Sequence, residues 1–345
     1  MDNIKNKSYF ITSNFSVKNM VCNGGSKTLE YYEPIFNATV VNKLEEAGAL
    51  LNQVSMPEFD INTEINDIAI KVQNDGTFGI DADCNGAVRR AAKVTGIIGY
   101  KPTYGLISRY GMYAVCSAFD TVGIYANNVK DAALVANTIK GLNPNDMNTW
   151  DSSNIDLLSN IDNLSNKKLF FVKELVDEQF KSALQANGIR ADEVSIDNEL
   201  INAIIPVHNT IMNAQMTTTL ANLTGIPFGP CGKGKDADEM MINYRNKFES
   251  ETKSRLIKGT FALAKNNINK FYNNSLRVRH LLFNELNKLF ETFDALILPN
   301  EEEPRLIANL CGYPSIAIGD ILITGEQKND AKILAIANTL IKEEK

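Results

Sequence analysis

Residues 37 to 54, NATVVNKLEEAGALLNQV, put an apolar stripe at helical spacing directly before a short apolar run, with one glycine between them. Val40, Val41, Leu44 and Ala47 share a helical face, Asn37 is placed to cap its start, and Gly48 stands where helices stop. A helix feeding straight into a strand must bury both apolar faces in one core, which points to an α/β layer rather than a bundle. The same grammar continues along the chain. VKDAALVANTIKG at 129–141 reads as an amphipathic helix closed by Gly141, LFFVKELV at 169–176 as a strand, and 198–225 as one long helix. Residues 250–292 read as helical with mixed charge, FDALILP as a buried strand ending at Pro299, SIAIGDILITG as two short strands around Gly319 and Asp320, and 331–344 as a closing helix. Residues 142–168 are polar, rich in Asn, Ser and Asp, and form the best linker candidate within what is otherwise expected to be a single domain, 1–345.

With 44% hydrophobic residues, 345 positions can fill a substantial core. Lys and Arg number 35 against 41 Asp and Glu, a net charge of -6, which gives no overall field for holding nucleic acid but leaves room for a local basic patch. The five cysteines, Cys22, Cys84, Cys116, Cys231 and Cys311, are scattered without a C-x-x-C pair, and are expected as reduced, mostly buried thiols of a cytoplasmic protein without metal or cofactor. The N-terminus lacks a basic head followed by an apolar stretch, and no apolar run approaches the roughly 20 residues that span a bilayer.

The stretch 81–105, DADCNGAVRRAAKVTGIIGYKPTYG, is laid out like the approach to a serine nucleophile, with a glycine-bearing turn and a buried run closed by a Lys-Pro turn, yet it contains no serine. Together with EYYEPIFNATVVNKLEEAGALL (30–51), the continuation through residue 141, FDALILP and NLCGYPSIAIG (309–319), it resembles the amidase signature family, most closely the A-type subunits of tRNA-dependent amidotransferases, in a shortened form. The resemblance implies a layered α/β/α fold with a large mixed central sheet. It also implies a triad in which a neutral lysine, a bridging serine and a nucleophilic serine act in sequence, while N–H groups of the glycine turn hold the oxyanion.

Carried over position by position, that triad falls on Thr12, Thr63 and Ala87, the first two by ungapped counting from Ser26-Lys27 and from Ala87. A methyl group cannot attack a carbonyl, and a threonine hydroxyl is no proton acceptor near neutrality. The glycines that let the family's bridging loop turn are replaced around Asn62 to Asp67. Asn85 and Gly86 hold the vestigial oxyanion turn, Arg89 borders the vestigial pocket, and Pro227 falls on the arginine that grips the substrate carboxylate in the amidotransferase. The segment with its acidic partner falls in a deletion between Pro304 and Leu306.

Two substitutes are conceivable. Cys84 lies in the same turn and Lys18 could serve if the alignment slips, but the two histidines, His208 and His280, are far away in sequence as partners for a thiolate. Arg89 and Arg90 read either as anion ligands or as partners of Asp81 or Asp83; Glu301 to Glu303 read as a solvated loop, and Trp150 as a partner contact or surface packing. The resulting expectation is a hydrolytically inactive binding or scaffold subunit whose partners are B-like and C-like amidotransferase subunits or an intact A-type one. An active amidotransferase subunit or amide hydrolase with a rearranged site, and a sensor of amides or amino acids, stay open beside it.

Overall fold

The computed structural model describes residues 3–54, 56–60, 67–162, 166–227 and 230–343. Among them, β1 (Ser8–Thr12), β2 (Leu50–Val54), β3 (Phe78–Ala82), β4 (Ile98–Lys101), β5 (Val122–Ala126), β6 (Leu169–Val172), β7 (Asp192–Val194), β8 (Ala295–Pro299), β9 (Ser315–Ile318) and β10 (Ile321–Thr324) form one sheet. Its order is β2-β1-β3-β5-β4-β9-β10-β8-β6-β7. The flanks are parallel and the five central pairings antiparallel, so the sheet is mixed, as the resemblance implied.

The helices are α1 (Thr39–Glu46), α2 (Asp67–Asp75), α3 (Ala87–Thr95), α4 (Val129–Ile139), α5 (Glu178–Ala186), α6 (Asn198–Asn202), α7 (Ile204–Thr219), α8 (Ala237–Arg245), α9 (Ser250–Leu263), α10 (Asn274–Phe290), α11 (Glu302–Cys311) and α12 (Asp330–Glu343). Strand residues alternate between the two faces, as a pleated strand buried on both sides must. Tyr9 and Ile11 of β1, with Ile124 of β5 and Ile297 of β8, join the core under α1, α4 and α12. Phe10 and Tyr125 point the other way, against α2 and α3, while Leu296 and Leu298 meet α7, α10 and α11. These are the three layers.

Several boundaries differ from the expected ones for physical reasons. The cap of α1 is Ala38, not Asn37, because the Asn37 side chain is spent on the Lys18 N–H at 2.8 Å. The long helix of 198–225 breaks between α6 and α7, since Pro206 has no N–H to give the preceding turn. Glu301 to Glu303 are no solvated loop: Glu301 precedes α11 and Glu302 and Glu303 occupy its first turn, where negative charge suits the helix dipole. In the polar stretch after α4, Leu157 and Ile161 reach the main core, and Trp150 packs against it with Lys328 Nζ 5.1 Å from its ring centre. None of the five cysteines is in a disulfide, and all but Cys231 are buried. Among the described residues no helix is long and apolar enough to cross a membrane.

Close packing of α3 on the sheet fixes where its first turn lies. A Cβ at Gly99 of β4 would stand 2.5 Å from the Val88 carbonyl oxygen and 2.7 Å from the Ala92 Cβ. Because the first of these atoms is backbone, the helix could not yield locally. Gly99→Ala is expected to destabilise the protein by about 1–3 kcal/mol, read as a lower midpoint in urea with an unchanged slope.

Candidate functional site

Strands β1 and β3 are parallel neighbours, with Ile11 opposite Ile80, so their carboxyl ends come side by side at one edge of the core. That end of an α/β sheet is where sites are usually built. Thr12 is the last residue of β1, and β3 runs through Asp83, Cys84, Asn85 and Gly86 into α3, whose first residue is Ala87. Gly86 takes the left-handed conformation (φ 83°), and a Cβ there would lie 2.9 Å from Arg305 Cβ, so the turn needs glycine twice over.

The centre of this site is an ion pair with no exposure to solvent. Arg89 donates through Nε to Asp83 Oδ2 at 3.1 Å and through Nη2 to Asp83 Oδ1 at 2.9 Å. Its other contacts are the Arg305 carbonyl at 2.7 Å and Asn309 Oδ1 at 2.6 Å, both on α11. Asp83 Oδ1 also accepts the Gly86 N–H at 3.0 Å and the Asn309 amide at 2.9 Å. Burial alone would raise the Asp83 carboxyl, but the charge and hydrogen bonds of Arg89, with those of Asn309, hold it well below the usual carboxylate range. Of the two sequence alternatives for Arg89, the geometry is the pairing one, with Asp83. The Gly86 N–H, which an oxyanion turn would aim at substrate, is turned onto the protein's own carboxylate.

Thr12 is fully buried, its Oγ1 lying 2.6 Å from Asn14 Oδ1 and 2.8 Å from Asp81 Oδ1. Thr63 lies outside the described residues. Lys18 sits in an exposed turn beyond β1, anchored by its N–H to Asn37. Ala87 is buried at the start of α3. Thus Thr12, Cys84, Asn85, Gly86, Ala87 and Arg89 are gathered at one sheet end, and Lys18 is not among them.

Sequence distance misled for His208. It stands on α7 with Nε2 2.9 Å from the Cys84 carbonyl oxygen, its ring stacked on Phe119 at 4.7 Å. A carbonyl can only accept, so Nε2 carries the proton and is committed to the backbone. Burial lowers the imidazole to about 4, although the Cys84 carbonyl pulls the other way. Lys101, of the Lys-Pro turn, is also fully buried; its Nζ donates to the Pro102 and Tyr313 carbonyls at 3.1 and 2.9 Å, and burial, aided by Arg89, brings it down to about 7. The partners Asn309 and Arg305 were not foreseen from sequence, because nothing in NLCGYP distinguishes a buried amide from a surface one.

Pro227 lines a cleft of about 390 Å³ with Leu29, Tyr32, Phe59, Tyr113 and Leu223. Thr219 and Asn222 also line it, and no charged residue does among those described. Glu58, next to Phe59, is buried and faces away into hydrogen bonds from Ser26 Oγ at 2.6 Å, Thr252 Oγ1 at 2.5 Å and the Glu249 N–H at 2.8 Å. Among the described residues no group of three or more His, Cys, Asp or Glu could hold a metal ion.

A mixed sheet between helical layers, with a glycine turn opening a helix at the end of parallel strands, is the architecture of amidases. The Amidase family pattern matches residues 73–310, and the chain belongs to that family. It is similar to the A-type subunit of the glutamyl-tRNA(Gln) amidotransferase of Thermoanaerobacter pseudethanolicus, at 31% identity over 84% of this chain and 67% of that one. With the corresponding subunit of Thermotoga maritima it shares 28% identity over 92% of this chain and 80% of the relative. Among solved structures, the Thermotoga maritima protein superposes with a TM-score of 0.73 at 24% identity, covering 96% of this chain and 83% of the other. The native peptide amidase of Stenotrophomonas maltophilia gives 0.78 at 18% identity, covering 98% and 82%.

Two measurements probe this site. Arg89→Met leaves Asp83 buried and uncompensated and should cost about 3–5 kcal/mol in chemical denaturation, whereas adding Asp83→Leu in the same chain should recover part of that loss. For His208, the unfolded chain binds a proton near pH 6.5 but the folded chain only near 4, so its contribution is complete above about 6.5 and lost as pH falls to about 4. Asp120, buried just before β5 with its Oδ2 accepting the Val115 and Cys116 N–H groups at 2.9 and 3.1 Å, has the opposite sign, since burial raises it to about 7 and its contribution fades as pH rises towards that value. The difference in unfolding free energy between wild type and His208→Gln isolates the histidine, and it should shift against the wild type by about 3 kcal/mol between pH 7 and 4.

Proposed function

We propose that this chain is a non-hydrolysing member of the amidase family, a degenerate homologue of the A-type amidotransferase subunits that serves as a binding or scaffold component in the cytoplasm. The observation that carries this reading is Ala87 at the head of α3, on the position matched to the family's nucleophile, above a turn whose Gly86 N–H is taken by Asp83. Loss of a nucleophile alone costs several orders of magnitude in rate. Two further features support it. Thr12 offers a hydroxyl where a proton acceptor is required, and the cleft bearing Pro227 has no cation for a substrate carboxylate among the described residues. Cys84 makes a poor replacement nucleophile, because the nearby imidazole engages its carbonyl rather than activating a thiol.

Without chemistry to perform, such a chain contributes a surface, and relatives named as amidotransferase subunits imply an assembly. The partners we infer are B-like and C-like amidotransferase subunits or an intact A-type one, within a single domain spanning 1–345. Glutamine incubated with the purified chain, alone and with such subunits, should release no ammonia above background, and Ala87→Ser should not restore release because Thr12 supplies no base. Ammonia release that Cys84→Ala abolishes, or a covalent acyl adduct trapped on the native chain, would overturn the reading.

A further inference from the structure

The strongest feature outside the amidase turn is the outer face of α9. Ile257 and Phe261, one helical turn apart, are 70% and 57% exposed, and Ile242 on neighbouring α8 is 61% exposed. The two α9 side chains form a ridge between two grooves. One, of about 690 Å³, runs against α8 over Leu256 and Phe248; the other, of about 510 Å³, runs against α7 and Phe271. The inner face of α9 cannot trade places with this ridge: a Cβ at Gly259 would lie 2.1 Å from both Asn213 O and Thr217 Oγ1 of α7, so the helices are locked backbone to backbone. The apolar ridge is therefore held outwards.

The linings of the two grooves are cationic. Arg245, Lys253 and Lys258 line the two grooves, and no carboxylate does among the described residues. From the cap of α8 through the end of α9, residues 236–263, five Lys and Arg stand against five Asp and Glu, so the positive character belongs to the groove linings rather than to the helices as a whole. Of the five carboxylates, Glu251 is paired with Arg255 at 3.0 Å. We propose that this face is the docking surface for an acidic amphipathic helix of a partner protein, whose apolar side chains enter the grooves on either side of the ridge while its carboxylates meet Arg245, Lys253 and Lys258. A phosphate backbone would satisfy the cations but leave Ile242 and Ile257 covered by polar groups, and a lipid surface would lie across the ridge without filling the grooves. The inference stands whether or not the chain hydrolyses amides, since it uses no residue of the 83–89 turn.

The test uses the full chain and a fluorescein-labelled synthetic helix with Leu at i, i+3/i+4 spacing and Glu on its flanks, followed by fluorescence anisotropy. Saturable binding is expected, weakening with salt and falling at least about tenfold in Ile257→Ser and in Lys258→Glu. Both side chains are exposed, so circular dichroism and thermal midpoint should not move. The same peptide with Lys in place of Glu, phosphatidylserine vesicles and a single-stranded RNA serve as comparisons. Absence of saturable binding, equal binding of the Lys peptide, unaltered affinity in both variants, or a stronger response to vesicles or RNA would each overturn the proposal.

Discussion

The buried pair between Asp83 and Arg89 is the interaction on which the arrangement around it depends. Removing two charges from water is costly, and only full hydrogen bonding makes the state tolerable. Here that condition recruits backbone and side chain from α11: Arg89 takes the Arg305 carbonyl and the Asn309 side chain, and Asn309 returns its amide to Asp83. The pair thereby ties the turn before α3 to a helix more than 200 residues further along the chain. It also decides what the turn can do, because the Gly86 N–H closes the same carboxylate shell.

The family's scaffold is present, and much of what surrounds the 83–89 turn belongs to it. The glycine turn, the packing of α3 on β4 and β5, and the Lys-Pro turn that Asp330 anchors through Tyr100 and Thr103 are all architectural. Each is a steric or hydrogen-bond requirement of the fold itself, so it persists independently of whether a nucleophile stands at the head of α3. Ala87 is buried in packing at the head of α3 and Thr12 is buried in local hydrogen bonds, whereas Pro227 is exposed where it lines its cleft. The cleft that Pro227 lines is walled by apolar side chains with Thr219 and Asn222, and by no charged residue among those described.

Shape and charge are concentrated elsewhere. The α8–α9 face combines an apolar ridge that the α7 contact holds outwards with grooves lined by Arg245, Lys253 and Lys258, in a chain that is acidic overall. A partner that matched it would be oriented by charge and held by burial, two effects with different range.

Taken alone, the amino-acid order pointed to an α/β layer, because an apolar stripe at 3.6 spacing followed by a short buried run admits few packings, while the layered α/β/α arrangement was implied by the family resemblance; that residues 81–105 contain no serine is visible without coordinates. It placed β8, β9, β10, α4 and α12 through uninterrupted apolar runs and glycine stops. It left β1 and β3 unassigned, since strands buried on both faces give weak periodicity, and it left α3 unassigned although its apolar residues share one helical face. Only the tertiary structure decided which carboxylate Arg89 meets, that His208 lies against the Cys84 carbonyl across 124 positions, and that Ile257 and Phe261 face outwards. The reason is physical: pairings between distant segments depend on helix crossings and strand register, and no local pattern of residues encodes those distances.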